Sequence, residues 1–243
     1  MLILGDIHGN FEKARAFLKF KPEEKHCFVG DYVDSFEESD EDILRTLKLC
    51  IESDAILLLG NHDLHYFKEP PFMCSGRRGW MAKGLEDIFE AFVAEDRFKP
   101  AIVTDGFIVT HGGVSEGLGN SLQAGKNADN ILSKIESEWK GYLETRFLRK
   151  PNMPRIQSKI FNIGFARGGR DSFSGIFWAD YRSDQLYGVP QVFGHSRTPI
   201  GNIVNIGKKN AFWAIGCDND RRICFNSTTK ETEDFGDDPL RRF

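Results

Sequence analysis

Five short segments of this chain concentrate side chains that could grip a metal ion: Gly5-Asp6-Ile7-His8-Gly9, Gly30-Asp31-Tyr32-Val33-Asp34, Gly60-Asn61-His62-Asp63, Thr110-His111-Gly112-Gly113 and Phe193-Gly194-His195-Ser196. Four of the six histidines fall in them. Asp6 and His8, two apart at a strand end, can face the same side and offer one oxygen and one nitrogen. Asp31 carries two carboxylate oxygens and could bridge two cations. Asn61 offers a neutral amide oxygen. His62 falls beside these ligands without having to be one, a good place for a general acid, with Asp34 or Asp63 available to hold its other ring nitrogen. Of the remaining histidines, His26 begins an apolar run and His65 follows the third motif, where it can support the first layer of ligands. Each segment alone has a plain explanation, an Asp N-cap or a polar turn. Capping does not explain all five. Asp6 and Asp31 brought close together would also resist ionising unless cations sat between them. The donor set holds no thiolate and suits manganese, iron or zinc.

These loops need elements that bring them together. Leu2-Ile3-Leu4, Cys27-Phe28-Val29 and Ala55 to Leu59 are short continuous apolar runs, as expected for strands buried on both faces. Asn10 can cap a helix that buries Phe11, Ala14, Phe17 and Leu18, and Ser39 with Asp42 forms a capping box ahead of Ile43, Leu44, Leu47 and Ile51. Strand, helix, strand, helix, strand implies a parallel sheet with right-handed crossovers. Ligands bind beyond the carboxyl ends of such strands, so three of the polar clusters should converge on one sheet edge. Ala101 to Thr104 and Phe107 to Thr110 flank Asp105-Gly106, a two-residue hairpin signal. A helix is expected over about Asn127 to Phe147. Gln191 to Phe193, Asn202 to Ile206, Ala211 to Ile215 and Arg222 to Phe225 read as short antiparallel strands, and Glu231 to Phe243 as a loose polar tail. With no internal repeat or low-complexity linker, one domain over residues 1–243 is expected, with helical or loop-rich inserts at about 64–100 and 115–175.

Composition narrows the class. Hydrophobic residues make up 40% and charged residues 28%, with a net charge of −4, which disfavours a general nucleic-acid binder. No apolar run approaches the roughly 18 residues of a membrane span. The Met1 to Asp6 start has neither the basic region nor the cleavage site of a signal peptide. Five scattered cysteines without a Cys-x-x-Cys pair argue against a disulfide framework and for a cytoplasmic protein. Twenty-one phenylalanines point to a core filled largely by that residue. No Gly-x-Ser-x-Gly elbow and no phosphate-cradling Walker loop is present.

Taken in order, the five motifs resemble the signature of the calcineurin-like metallophosphoesterases. They are closest to the Ser/Thr phosphoprotein phosphatase branch, its small bacteriophage and bacterial members in particular. The resemblance spans residues 5 to 195. It implies an α/β (α+β) fold, a central β-sandwich of mixed sheets flanked by helices, with a dinuclear site at the strand ends. It also implies two divalent metal ions, manganese first and iron or zinc as alternatives. Asp6 and His8 would bind one ion and Asn61, His111 and His195 the other, with Asp31 bridging, His62 protonating the leaving group and Asp34 orienting it. The reaction implied is hydrolysis of a phosphate ester by direct attack of hydroxide shared between the ions. The substrate would be a phosphoprotein or a small phosphate ester. Phe177-Trp178-Ala179-Asp180-Tyr181-Arg182 resembles a stretch that places Arg182 near substrate phosphate. Two departures stand out. The phosphatase pattern continues from Asp34 into Arg-Gly, whereas here Ser35-Phe36 follows, so one phosphate-clamping arginine is missing; Arg77, Arg78, Arg167 and Arg170 are candidates to replace it. Asp63-Leu64-His65, in turn, is similar to the symmetrical diadenosine tetraphosphatases, which keeps a dinucleoside polyphosphate substrate as the alternative. A non-catalytic scaffold is the reading from another class; the full ligand set argues against it.

Overall fold

A computed structural model of the protein describes residues 1–146, 158–198, 204–205, 214–217 and 221–236. The first sixty residues form β1 (Leu2–Leu4), α1 (Phe11–Lys19), β2 (His26–Phe28), α2 (Asp40–Glu52) and β3 (Ile56–Leu58), close to the expected order and bounds. Both helices begin on the anticipated caps. Asn10 accepts from the Lys13 amide at 2.9 Å and Ser39 from the Asp42 amide at 3.1 Å, satisfying backbone donors that the first turn leaves unpaired. Of the four residues expected to face inward on α1, Ala14 and Phe17 are buried, while Phe11 and Leu18 are half-buried. Phe11 lies under the Arg45 guanidinium, 4.1 Å from the ring centroid.

The one-turn helix α3 (Asn61–Leu64) and then α4 (Ala82–Ala94) lead into β4 (Phe98–Lys99), followed by the hairpin β5 (Ala101–Thr104) and β6 (Phe107–Thr110). Its turn residues Asp105 and Gly106 both have positive φ, 48° and 80°, as a type I′ turn requires. Next come α5 (Glu116–Leu122), α6 (Ala128–Thr145), two short 3₁₀ turns (Lys159–Phe161 and Phe165–Arg167), and the strands β7 (Gln191–Phe193), β8 (Val204–Asn205), β9 (Ala214–Gly216), β10 (Ile223–Asn226) and β11 (Glu231–Asp234).

The strands form two mixed sheets, in the orders β11-β10-β1-β2-β3-β4 and β5-β6-β7-β9-β8. The period-two alternation of strand side chains explains the layering. Ile3, Cys27, Leu58, Phe107, Val109, Val192, Ile215 and Phe225 pack as one buried cluster between the sheets. Their strand neighbours Leu2, Leu4, Phe28, Leu57 and Ile108 point the other way, into a cluster with Ala14, Phe17, Ile43, Leu47, Ile131 and Ile135 of the helices. Strands buried on both faces thus account for the unbroken apolar runs.

Three expectations need correction. β7 is parallel to both β6 and β9, not antiparallel, because the intervening chain crosses over rather than turning back; β8 to β9 and β10 to β1 are antiparallel as expected. Glu231–Asp234 is no tail but the sheet-edge strand β11, paired with β10, and Phe235 packs 5.4 Å from Phe17. Its polar sequence is that of an edge strand bathed in solvent. Within 115–175, α5 was not anticipated. It contains Gly117 and Gly119, poor helix formers, yet a Cβ at these positions would sit 2.4 Å from Phe173 and from Tyr187. Parts of the expected strands at 202–206 and 211–215, and the end of the tail, lie outside the described residues. Among the described residues no helix is long and apolar enough to cross a membrane.

Candidate metal centre

Each strand that ends in a motif delivers its polar residues to the same edge of the sandwich, and backbone bonds knit the loops together. The amides of His8 and Gly9 donate to the carbonyls of Asp31 and Tyr32 at 2.8 and 3.0 Å, and the Gly194 amide donates to His111 at 2.7 Å. Asp63 binds the second and third motifs together, its carboxylate accepting from the amides of Gly60, Asp31 and Tyr32 at 2.8 to 2.9 Å. Four residues of this edge, His8, Asp31, Asp34 and His195, hold φ between 45° and 61°, a left-handed backbone that non-glycine residues adopt at a cost and that concentrates at functional sites. Two glycines make the approach possible. A Cβ at Gly60 would lie 2.0 Å from Asp31 Oδ1, and one at Gly194 would lie 2.2 Å from Asp6 Oδ1.

Two groups of donors result. Asp6, His8 and Asp31 form one and Asp31, His111 and His195 the other, each with one ligand atom per residue within 4.8 Å of the rest. Asp31 belongs to both. His8 Nε2 lies 3.9 Å from Asp6 Oδ2 and 3.7 Å from Asp31 Oδ2, and His111 Nε2 lies 3.5 Å from Asp31 Oδ2.

Tautomers decide what these groups fit. His111 Nδ1 lies 2.9 Å from the Val29 carbonyl and His8 Nδ1 lies 3.1 Å from that of Val33. A carbonyl only accepts, so Nδ1 carries the hydrogen in both rings and Nε2 of the neutral imidazole is a lone pair. His111 Nε2 then faces Asn61 Oδ1 at 2.8 Å and His195 Nδ1 at 3.2 Å. The amide is oriented that way because Asn61 Nδ2 donates to Cys74 Sγ at 3.3 Å. Burial, followed by His111 and Arg167, holds His195 well below the usual histidine range, hence neutral. Its Nε2 is buried with no hydrogen-bond partner. Lone pairs from Asn61, His111 and Asp31 converging without hydrogens between them repel unless a cation takes them up, so these residues fit divalent metal ions.

A third group stands beside the two. His62 Nδ1 lies 3.1 Å from Asp34 Oδ2, settling the choice between Asp34 and Asp63 as its hydrogen-bond partner. Asp34 is itself held. Tyr66 Oη donates to Oδ1 at 2.5 Å, and His65 Nε2 faces Oδ2 at 2.5 Å. Burial works against the His62 imidazolium, but Asp31 and Asp34 outweigh it and raise the group to about 9. Burial alone would raise the Asp34 carboxyl; His62, His65 and Tyr66 together hold it below the usual carboxylate range.

A cavity of about 730 Å³ opens over this edge, lined by Asp6, His8, Asn10, Lys13, Asp34, Ser35, Phe36, Glu37, Glu38, His62 and Arg197. Arg77, Arg78 and Arg182 do not line it. Arg182 forks onto Asp180 with two bonds of 3.0 Å, and Arg167 joins the same carboxylate at 3.1 Å while reaching Ser196 Oγ at 2.7 Å. Arg77 lies over the Tyr66 ring and donates to the His65 carbonyl, and Arg78 binds Asp40 and the 35–38 backbone. Sequence reasoning missed Lys13, Arg197 and Cys74. Arg197, two residues past His195, was the accessible clue.

Residues 1–196 match the calcineurin-like phosphoesterase family, and the chain belongs to it. That family hydrolyses phosphate esters and uses divalent metals. Similar solved structures include a protein serine/threonine phosphatase from Saccharomyces cerevisiae, 17% identical over 88% of this chain with a TM-score of 0.48; this chain spans 66% of its length. A structure provisionally described as a diadenosine tetraphosphatase is 15% identical over 96% of this chain and 90% of its own, TM-score 0.46. A metallophosphoesterase from Sphaerobacter thermophilus is 12% identical over 95% of this chain and 84% of its own, TM-score 0.41.

Proposed function

We propose that this chain is a two-metal phosphomonoesterase, with Asp6 and His8 on one ion, Asn61, His111 and His195 on the other and Asp31 between them. The observation that carries the reading is the convergence of donors about Asp31, with His8 and His111 turned inward by bonds from Nδ1 to backbone carbonyls and Asn61 by its bond to Cys74. Two divalent ions held by these residues would supply a water of pKa lowered toward ~7 and positive charge to meet the phosphate oxygens. The chain's own part is then orientation and proton delivery. His62, held by Asp34, gives its Nε2 proton to the departing oxygen. Arg197 and Lys13, the cations lining the cavity, take the phosphate charge that the arginine missing at Ser35 would otherwise meet. A monoester is favoured over a dinucleoside polyphosphate because Glu37 and Glu38 line the same cavity and repel a second anionic chain.

Manganese-loaded protein is expected to hydrolyse p-nitrophenyl phosphate, to lose that activity in EDTA and to regain it on adding Mn²⁺. It should turn over diadenosine tetraphosphate poorly. No monoester turnover with metals bound, or a preference for the polyphosphate, would reject the monoesterase reading. A second expected result concerns backbone approach. In Gly194→Ala the new methyl meets Asp6 Oδ1 at 2.2 Å, so the carboxylate must move. Metal analysis should show occupancy lowered by about 10- to 100-fold in affinity, the scale on which mispositioned ligands act; unaltered metal content would show that Asp6 is not a ligand.

A further inference from the structure

Among the residues lining the cavity, one large apolar side chain is turned to solvent. Phe36 is 89% exposed yet lines the same cavity as His8, Asp34 and His62. A single exposed phenylalanine needs no explanation in general. This one stands on a loop pinned from both sides. Ser35 Oγ accepts from the amides of Glu37 and Glu38 at 3.1 and 3.0 Å. Arg78 reaches across to the carbonyls of Ser35 and Glu38 at 2.5 and 3.0 Å and bonds Asp40, and its own amide donates to Tyr66 Oη, the hydroxyl that holds Asp34. The neighbouring loop comes up against the ring at Gly76, where a Cβ would lie 3.6 Å from Phe36 Cζ. The backbone that places His62's partner therefore also carries an apolar ring into the lining of the same cavity. An aromatic side chain has only two rotatable bonds to order when something stacks on it.

We infer that Phe36 is the wall against which the organic part of the substrate stacks, so that the pocket selects phosphomonoesters whose leaving group is a neutral planar ring attached close to the phosphoryl group. This rests on the monoesterase reading above. Planarity follows from the ring face, since offset aromatic pairs gain beyond their area burial. Neutrality follows from Glu37 and Glu38, the next two residues of the same loop, which line the cavity and disfavour further negative charge.

Binding tests this without turnover. Manganese-loaded protein is titrated calorimetrically with phenylphosphonate and cyclohexylphosphonate, which share a headgroup and a similar apolar size and differ in planarity. The wild type is expected to hold the phenyl compound about 3- to 10-fold more tightly, the usual gain of an aromatic pair. Phe36→Ala should bring the ratio to near one, and Phe36→Trp should keep or increase it. Equal affinities in the wild type, or a preference that survives in Phe36→Ala, overturns the assignment. Hydrolysis of p-nitrophenyl phosphate is measured on the same preparation. Turnover with no phenyl preference rejects the stacking role alone, whereas neither turnover nor binding of either phosphonate rejects the monoesterase reading together with it.

Discussion

Asp31→Asn is expected to leave a folded protein that no longer retains two divalent ions. The substitution is isosteric, and the backbone at Asp31 is held independently of its side chain by the Asp63 carboxylate and by the carbonyl bonds from His8. What is lost is the one carboxylate shared by both donor groups. An amide in its place presents hydrogens toward the lone pairs of His8 and His111 Nε2, which lie 3.7 and 3.5 Å from Oδ2. The variant fills with hydrogen bonds the space where charge is needed. In the wild type, ions at 100 times their Kd stabilise the fold by about 2.7 kcal/mol per site. Each kcal/mol is worth ~2–4 °C in Tm for a domain of this size. Wild type should therefore melt about 5–10 °C higher per occupied site with Mn²⁺ than with EDTA, and Asp31→Asn should show almost none of that difference. Metal analysis that finds two tightly bound ions in Asp31→Asn would remove Asp31 from the bridging position.

The five motifs that meet at the candidate centre were legible in the sequence because each is local. A buried strand must be apolar, a tight turn at its end needs glycine, and a ligand must follow at once, so Leu2–Leu4 with Gly5-Asp6 or Gln191–Phe193 with Gly194-His195 carries its meaning within six residues. Other features depend on neighbours distant in sequence. Asp63 looks like a partner for His62, but the Gly60, Asp31 and Tyr32 amides claim it, and only the third dimension shows that the second motif's loop passes over it. Cys74 orients Asn61 from thirteen residues away. Helix α5 was hidden because Gly117 and Gly119 answer to the rings packed on them, Phe173 and Tyr187, rather than to helix propensity. Strand β11 was hidden because an edge strand exposed to water need not alternate; backbone pairing to β10 and the anchor at Phe235 define it. The departure at Ser35-Phe36 was visible as a loss of arginine, and only the structure shows the phenylalanine entering the cavity.

His62→Asn should keep both ions and lose turnover. His62 lies outside both donor groups that share Asp31, and its backbone amide, which donates to Asp31 Oδ1 at 2.9 Å, is untouched by the substitution. Metal content and the Mn²⁺-dependent rise in Tm should therefore match the wild type. A general acid contributes about 10²–10⁴ in rate, and the loss should depend on the leaving group. An alkoxide leaves poorly unless it is protonated as the bond breaks, whereas p-nitrophenolate leaves nearly unaided. The variant is thus expected to lose about 10³–10⁴ on an alkyl phosphate and only about 10-fold on p-nitrophenyl phosphate, at equal metal occupancy. Asp34→Asn should follow the same graded pattern more weakly, because it removes the charge that holds the proton on His62 while Tyr66 and His65 remain to position the side chain. Equal losses across leaving groups would assign His62 to substrate binding instead, since binding a phosphate does not sense the basicity of the oxygen that departs.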